Sequence, residues 1–373
     1  MQLRVKLQYD KEKAYSKLGW YRMKIDAERK IMTNCGYKLK PRGMTGGWEP
    51  VGDKPVLGGA LGTCFDCYVM QEDGIYKIWF SWRPTRCIAY AESPDGIHWD
   101  NPRVVLTAVT GSSWEGHEVN RPTIVKKDGI YHMWYTGQMF AKETNSARSC
   151  IGYATSLDGI HWERREDPVL VPELPWEKIT VMCPHVLWEE EMHCYRMWYS
   201  GGRMHEADAI GIATSEDGIH WIKDEQNPVF TPNPDKYWEI GKVEACFVCP
   251  KRDGWYNMFY LGMDGDLIAY VGLARSRDGK SNWQRHPSNP IIAGFDGSWD
   301  WLGICKVSVI ETEEGYLLWY NGCNRRFEEI GIAKHVGFDL GFPEEGEEGV
   351  DERGNDDSLG GINYYVRDCI ARY

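Results

Sequence analysis

The heptapeptide "SPDGIHW", residues 93–99, returns as "SLDGIHW" at 156–162, as "SEDGIHW" at 215–221 and, one residue longer, as "SRDGKSNW" at 276–283. Each copy follows the same kind of segment: "GIYKIWFSW" (74–82), "GIYHMWYTG" (129–137), "HCYRMWYSG" (193–201) and "GWYNMFYLG" (254–262). A fifth such segment, "GYLLWYNG" (315–322), has no heptapeptide after it. The chain therefore repeats, and the repeat decides how everything else is read.

In the second unit "RPTIV" (121–125) reads as an inner strand, "KKDG" as a turn, "IYHMWYTG" (130–137) as a second strand and "IGYATS" (151–156) as a third. Aromatic and polar residues alternate along these segments, and Asp-Gly marks the turns between them. A fourth strand follows the heptapeptide and carries proline: "DPVLVP" (167–172), "NPVFTP" (227–232) and "NPIIAG" (289–294). Four strands in a unit of about sixty residues is the pattern of a propeller blade.

Trp114, Trp176, Trp238 and Trp299 announce successive blades at intervals of 62, 62 and 61 residues. The expected fold is all-β: a five-bladed β-propeller of four-stranded antiparallel blades over 48–342, with an N-terminal arm (1–47) and an acidic linker and tail (343–373). "WEPVGDKPVLGG" (48–59) reads as an outer strand that closes the last blade. The heptapeptide itself is structural. Its Ser and Asp bond backbone N–H groups, its Gly permits positive φ, and its Trp packs between blades.

Composition narrows the function. A net charge of −12 argues against nucleic acid, whose backbone selects clustered Lys and Arg. No apolar tract is long enough to span a membrane, and the opening "MQLRVKLQYDKEKAY" is charged where a secretory leader is apolar, so a cytoplasmic protein is expected. In that compartment the twelve cysteines are expected to be reduced and to pack as small apolar residues. Eighteen tryptophans and twenty-one tyrosines suit sugar recognition, and they suit packing between sheets equally well.

A propeller's inner strands converge on a central channel. Seven residues after each blade tryptophan stand Arg121, Cys183, Ala245 (with a one-residue bulge) and Lys306, and the "EDG" turn aligns Asp66 in the first blade. Unevenness in an otherwise repeating ring points to chemistry. The polar candidates beside it are His117, Glu118, Asn120, His185 and Glu244, with Trp114 as an aromatic wall. Glycoside cleavage needs two carboxyl groups flanking the bond, and Asp66 and Glu244 lie two blades apart, across the channel. Glu118 is the competing carboxylate or a hydroxyl acceptor.

Arg121 and Lys306 offer a carboxylate or phosphate site. Cys64/Cys67 and Cys246/Cys249 have the spacing of metal pairs, but strand residues three apart face opposite ways, and neither metal nor cofactor is expected. The arm, with "KLGWYRMKIDAERK", and the tail, with "INYYVRDCIARY", are open to two readings, as covers for this pocket or as contacts in a homo-oligomer.

With its "MWYSGG…IGIATSEDGIHW…NPVF" blades and "NRPTIV", the chain resembles the five-bladed β-propeller glycosidases, the superfamily of glycoside hydrolase families 43, 32, 68, 117 and 130. The resemblance covers roughly residues 48–342. It implies an Asp on the first inner strand, matched by Asp66, and a Glu two blades later. The third blade, "VMCPHVLW", has no Glu there. Glu244 in "EAC" is similar to the acid of the fructosidase-like members but falls on blade 4. His185 matches the histidine acid suggested for family 117, and Arg121 and Lys306 resemble the cations that family 130 keeps for phosphate. The heptapeptide resembles the sialidase Asp box without the residue between Asp and Gly, and the sialidase propeller has six blades. The expected activity is glycoside hydrolysis, with phosphorolysis or transglycosylation, and a non-catalytic sugar-binding propeller, as alternatives.

Overall fold

The computed structural model describes residues 42–344 apart from 142–145, 204–205, 296 and 325. Two short strands come first, β1 (Gly43–Met44) and β2 (Trp48–Pro50). Blade 1 holds β3 (Cys64–Glu72), β4 (Ile75–Trp82), β5 (Cys87–Ser93) and β6 (Arg103–Thr107). Blade 2 holds β7 (Glu118–Lys127), β8 (Ile130–Ala141), β9 (Ser146–Ser156) and β10 (Glu163–Arg164), and blade 3 holds β11 (Thr180–Glu189), β12 (Cys194–Gly202), β13 (Ala209–Ser215) and β14 (Ile222–Lys223). Blade 4 holds β15 (Lys242–Val248), β16 (Tyr256–Met263), β17 (Ala269–Ser276), β18 (Gln284–Arg285) and β19 (Ile292–Ala293). Blade 5 is β20 (Gly303–Glu311), β21 (Gly315–Cys323) and β22 (Glu328–Val336).

Blade 5 takes its fourth strand from the other end of the chain. β2 pairs antiparallel with β22, Trp48 opposite His335, and Leu57 bridges Ile330. This is the closure expected from "WEPVGDKPVLGG". Residues 42–47 of the expected arm are described, and Gly43 and Met44 pair with Ala293 and Ile292 on the outside of blade 4. The rest of the arm, and the tail after residue 344, lie outside the described residues.

The heptapeptide latches blade to blade. In the first copy the Ser93 hydroxyl donates to Asp95 and accepts from Gly96 N–H, while Asp95 Oδ1 accepts from the N–H groups of Ile97 and His98. These bonds, that from His98 foremost, hold the Asp95 carboxyl well below the usual range. The turn presents the Gly carbonyl outward, and the second-strand tryptophan of the preceding blade donates to it. Trp79 reaches Gly159, Trp134 reaches Gly218, Trp198 reaches Gly279 and Trp319 reaches Gly96, all at 2.8–2.9 Å. Gly is required twice over, since φ is +74° at Gly96 and a Cβ there would stand 2.7 Å from the Trp319 ring.

The latch between blades 4 and 5 is different. Blade 5 has no heptapeptide, and blade 4 carries Phe259 where the others carry tryptophan. Trp48 fills the place, its ring edge-on to Phe259 at 5.5 Å and tilted over His335 at 5.3 Å. Trp48 is 3% exposed, so Trp48→Ala is expected to cost about 3–5 kcal/mol and to open the ring at this seam. Urea unfolding measures it, and a loss under about 1 kcal/mol would show that the seam closes without Trp48.

The blade-announcing tryptophans lie flat on their own blades. Cβ atoms at Gly137 and Gly152 would meet Trp114 at 2.3–2.6 Å, and Trp176, Trp238 and Trp299 cover equivalent glycine pairs. Trp114 also donates to the Glu166 carbonyl. It is therefore a packing residue of blade 2, which removes it from the expected sugar-binding group.

Candidate active site

Each inner strand carries a bulge at the same height. Pairing with the second strand skips between Phe65 and Tyr68, Asn120 and Thr123, Met182 and His185, Glu244 and Phe247, and Ile304 and Val307. The expected bulge at Ala245 is thus one of five. A bulge breaks the two-residue alternation and re-aims a side chain that would otherwise pack between blades. Asp66, Arg121, Cys183 and Ala245 occupy its first position with φ between +48° and +55°. That conformation costs a non-glycine residue on the order of 1–3 kcal/mol. The neighbouring blade offsets part of it: Ser81, Thr136 and Ser200 accept the N–H groups of Arg121, Cys183 and Ala245 at 2.8–3.0 Å.

In blade 5 the tryptophan spacing is one residue short, so the position equivalent to Asp66 is Cys305, and Lys306 is the second bulge residue. Lys306 is nonetheless buried, with Nζ 3.2 Å from the Pro122 carbonyl. Burial lowers its pKa, against the opposing pull of Cys183 and Asp66.

Arg121 is the hub of the site. Its Nε lies 3.0 Å from Asp66 Oδ2, and a terminal nitrogen donates to Asn120 Oδ1 at 2.9 Å. Asn120 in turn donates to Gln138, and Gln138 to Ser149, which fixes the guanidinium plane. Asn321, with its amide nitrogen toward them, donates to Asp66 Oδ1 and to the Lys306 carbonyl at 3.1 Å each. Burial opposes the charge on Arg121, but Cys183 and the carboxyls of Asp66, Glu206 and Glu244 outweigh it and raise the pKa.

Glu206 is the residue that reading the strands missed. It stands between β12 and β13 of blade 3, within "MHEADAI", and supplies the carboxyl group that the blade 3 inner strand lacks. Its side chain and that of Glu244 share a hydrogen bond. Ala207 N–H donates to Glu244 Oε2 at 2.8 Å, and Lys242 Nζ donates to the Glu206 carbonyl at 2.7 Å, which pins the loop over the channel. Burial, and then the Glu206 carboxyl, hold Glu244 well above the ordinary carboxylate range. Two hydrogen-bonded carboxyls in a dry site retain one proton between them. Asp66, Glu206 and Glu244 are 5%, 7% and 3% exposed, so water screens none of them strongly.

The other candidates fall outside this ring. Glu118 is buried at the mouth, 3.9 Å from Arg83. His117, beside it, packs on Phe140 at 6.0 Å, and burial followed by Arg86 lowers its pKa. His185 lies 4.3 Å from the Phe247 ring, with Nε2 2.8 Å from the Val248 carbonyl. Burial pushes it down to about 3, so at neutral pH the ring is uncharged and lacks the acidic proton of an imidazolium. The same shift has a consequence for stability. An unfolded imidazole takes a proton below about pH 6.5 and the folded one only near 3, so stability is full above that window and declines as pH falls through it. His185→Gln keeps a donor for Val248. Urea unfolding at pH 7 and pH 5 is expected to show a smaller loss for this variant than for the wild type, and equal losses would contradict the assignment.

Of the ten described cysteines six are buried, among them both Cys-x-x-Cys pairs, and the reading of those pairs needs one correction. Cys246 and Cys249 pack into different clusters, as strand geometry requires, but the bulge at Asp66–Cys67 brings Cys64 and Cys67 into the same one.

A five-bladed propeller whose channel gathers three carboxyl groups around one arginine is the architecture of a carbohydrate-active enzyme. Residues 53–332 match the pattern of the glycosyl hydrolases family 43, and the chain belongs to that family. An uncharacterized protein of Mycobacterium tuberculosis (strain ATCC 25618 / H37Rv) is 31% identical over 155 residues, 41% of this chain, and the match spans about half (49%) of that relative's length. A beta-1,2-mannobiose phosphorylase of Thermoanaerobacter sp. (strain X514) is 28% identical over 242 residues, 61% of this chain and 73% of that one. Among solved structures, a glycoside hydrolase superposes with a TM-score of 0.63 at 20% identity, covering 86% of this chain and 98% of that one. An exo-1,5-alpha-L-arabinanase from a bovine ruminal metagenomic library gives 0.56 at 17%, covering 74% and 94%. These structural likenesses are likenesses of fold.

Proposed function

We propose that the protein is a glycoside hydrolase that cleaves a small glycoside or short oligosaccharide at the channel mouth, in the cytoplasm. Asp66 is the base or nucleophile, and the Glu206–Glu244 pair is the acid. The observation that carries this reading is the convergence of carboxyl groups from blades 1, 3 and 4 on Arg121. A carboxyl that keeps its proton at neutral pH protonates the leaving oxygen, while an ionised one attacks the anomeric carbon or activates water. The ion pair with Arg121 and the amide of Asn321 fix the Asp66 carboxylate in place for that attack.

Phosphorolysis is the second reading, favoured by the similarity to a phosphorylase and by the buried Lys306. Against it, Arg121 is already bound by Asp66 and Asn120. Product chromatography on a panel of aryl glycosides and short oligosaccharides, with and without inorganic phosphate, separates the readings. Hydrolysis predicts cleavage that is indifferent to phosphate. Cleavage only with phosphate would replace it by phosphorolysis, and sugar binding without any cleavage would leave a binding propeller.

A further inference from the structure

The turn after the second strand of blade 1 differs from its counterparts. Blades 2 to 5 continue as "YTG", "YSG", "YLG" and "YNG", whereas blade 1 reads "SWRPTRC" (81–87). It folds as a 3₁₀ turn over Arg83–Thr85, held by Arg83 N–H to the Thr63 carbonyl and Arg86 N–H to the Arg83 carbonyl, both 3.1 Å. Proline at the second position and left-handed backbone at Arg86 (φ +54°) define the turn, which displays two arginines three residues apart.

Arg83 lies over Phe65, its guanidinium carbon 4.3 Å from the ring centre, and Phe65 immediately precedes Asp66. Arg121 approaches the same ring at 5.9 Å. The two guanidinium groups differ in what they hold. Arg121 is bound by Asp66 and Asn120. Arg83 has a buried Nε with no hydrogen-bond partner, and the nearest carboxylate, Glu118, is 3.9 Å from its NH1, beyond hydrogen-bond reach. Arg86 is exposed and makes no ion pair among the described residues. Arg86 and Arg83 both depress the pKa of His117, after burial, while Glu118 raises it.

A guanidinium that rests over an aromatic ring, is 27% exposed and has no hydrogen-bonded carboxylate is suited to take a planar or tetrahedral anion. We propose that Arg83, assisted by Arg86, recognises an acidic group carried by the saccharide itself, the carboxylate of a uronate or the phosphate of a sugar ester. This assignment gives the substrate class of the glycosidase reading and rests on it for the identity of the channel as a sugar site.

Calorimetric titration of the full chain with glucuronate, galacturonate and glucose 6-phosphate, against glucose, galactose and inorganic phosphate alone, tests it. At least one acid sugar is expected to bind about tenfold or more tighter than its neutral parent. The ratio is expected to shrink with added salt, to vanish in Arg83→Gln and to survive in part in Arg83→Lys. A ratio near one, a ratio unchanged by Arg83→Gln, no binding of any acid sugar, or phosphate alone binding through Arg83 as tightly as the acid sugars would each overturn it. Turnover of aryl glycosides is read separately. Preference without turnover defeats the hydrolase reading and leaves this assignment standing, while turnover without preference does the reverse.

Discussion

Asp66→Asn is expected to lower kcat by about a thousandfold or more while the protein still folds. Asparagine keeps an oxygen for the Arg121 guanidinium but can neither attack an anomeric carbon nor take a proton from water. The substitution also removes one charge of a buried pair, a change that costs on the order of 3–5 kcal/mol when nothing compensates. Here Glu206 and Glu244 remain beside Arg121, so a smaller loss is expected, visible as a lower melting temperature with an unchanged circular dichroism spectrum. Asp66→Glu is the sharper control. It restores the charge to Arg121 and moves the carboxylate by one methylene, so stability recovers while turnover stays at least about a hundredfold down. Recovery of turnover together with stability would mean that Asp66 serves only to hold Arg121.

The second large effect concerns the shared proton. If the Glu206–Glu244 pair is the acid, Glu244→Gln removes the donor, and the loss depends on the leaving group. For an alkyl glycoside it is about 10²–10⁴-fold, and for a dinitrophenyl glycoside, whose leaving oxygen needs no proton, it is far smaller. Glu206→Gln tests the electrostatics. Burial continues to hold Glu244 high, but the like-charged neighbour is gone, so its pKa falls and the alkaline limb of the kcat profile moves to lower pH. An equal loss for both leaving groups, or an alkaline limb that does not move, would take the pair out of proton transfer.

These sites were unequally visible in the amino-acid sequence. The propeller was legible because its devices repeat: four Asp-Gly turns, four tryptophans at near-constant spacing, and an orphan outer strand at 48–59 that needed a partner. Asp66 and Arg121 were legible because they make an otherwise repeating ring chemically uneven, and Glu244 because it stands directly beside that ring. Glu206 was not, because it lies in a loop between strands, where no register marks it and a second acidic residue, Asp208, stands two positions on. Lys306 was placed one residue off because the Trp299 segment is shorter by one. Trp114 and His185 looked functional by residue type. Only the structure shows the glycine pair beneath the first and the carbonyl in front of the second. Arg83 gave no signal at all until Phe65 was seen beneath it.

The most direct measurement is mass spectrometry of the products formed in water enriched in oxygen-18, with a cleavable glycoside and without phosphate. Hydrolysis by the Asp66 and Glu206–Glu244 machinery predicts one heavy oxygen at the anomeric carbon of the released glycone, and none on the leaving group, from the wild type, and no labelled product from Asp66→Asn. Unlabelled products that form only when phosphate is added, or labelled product from Asp66→Asn at the wild-type rate, would contradict it.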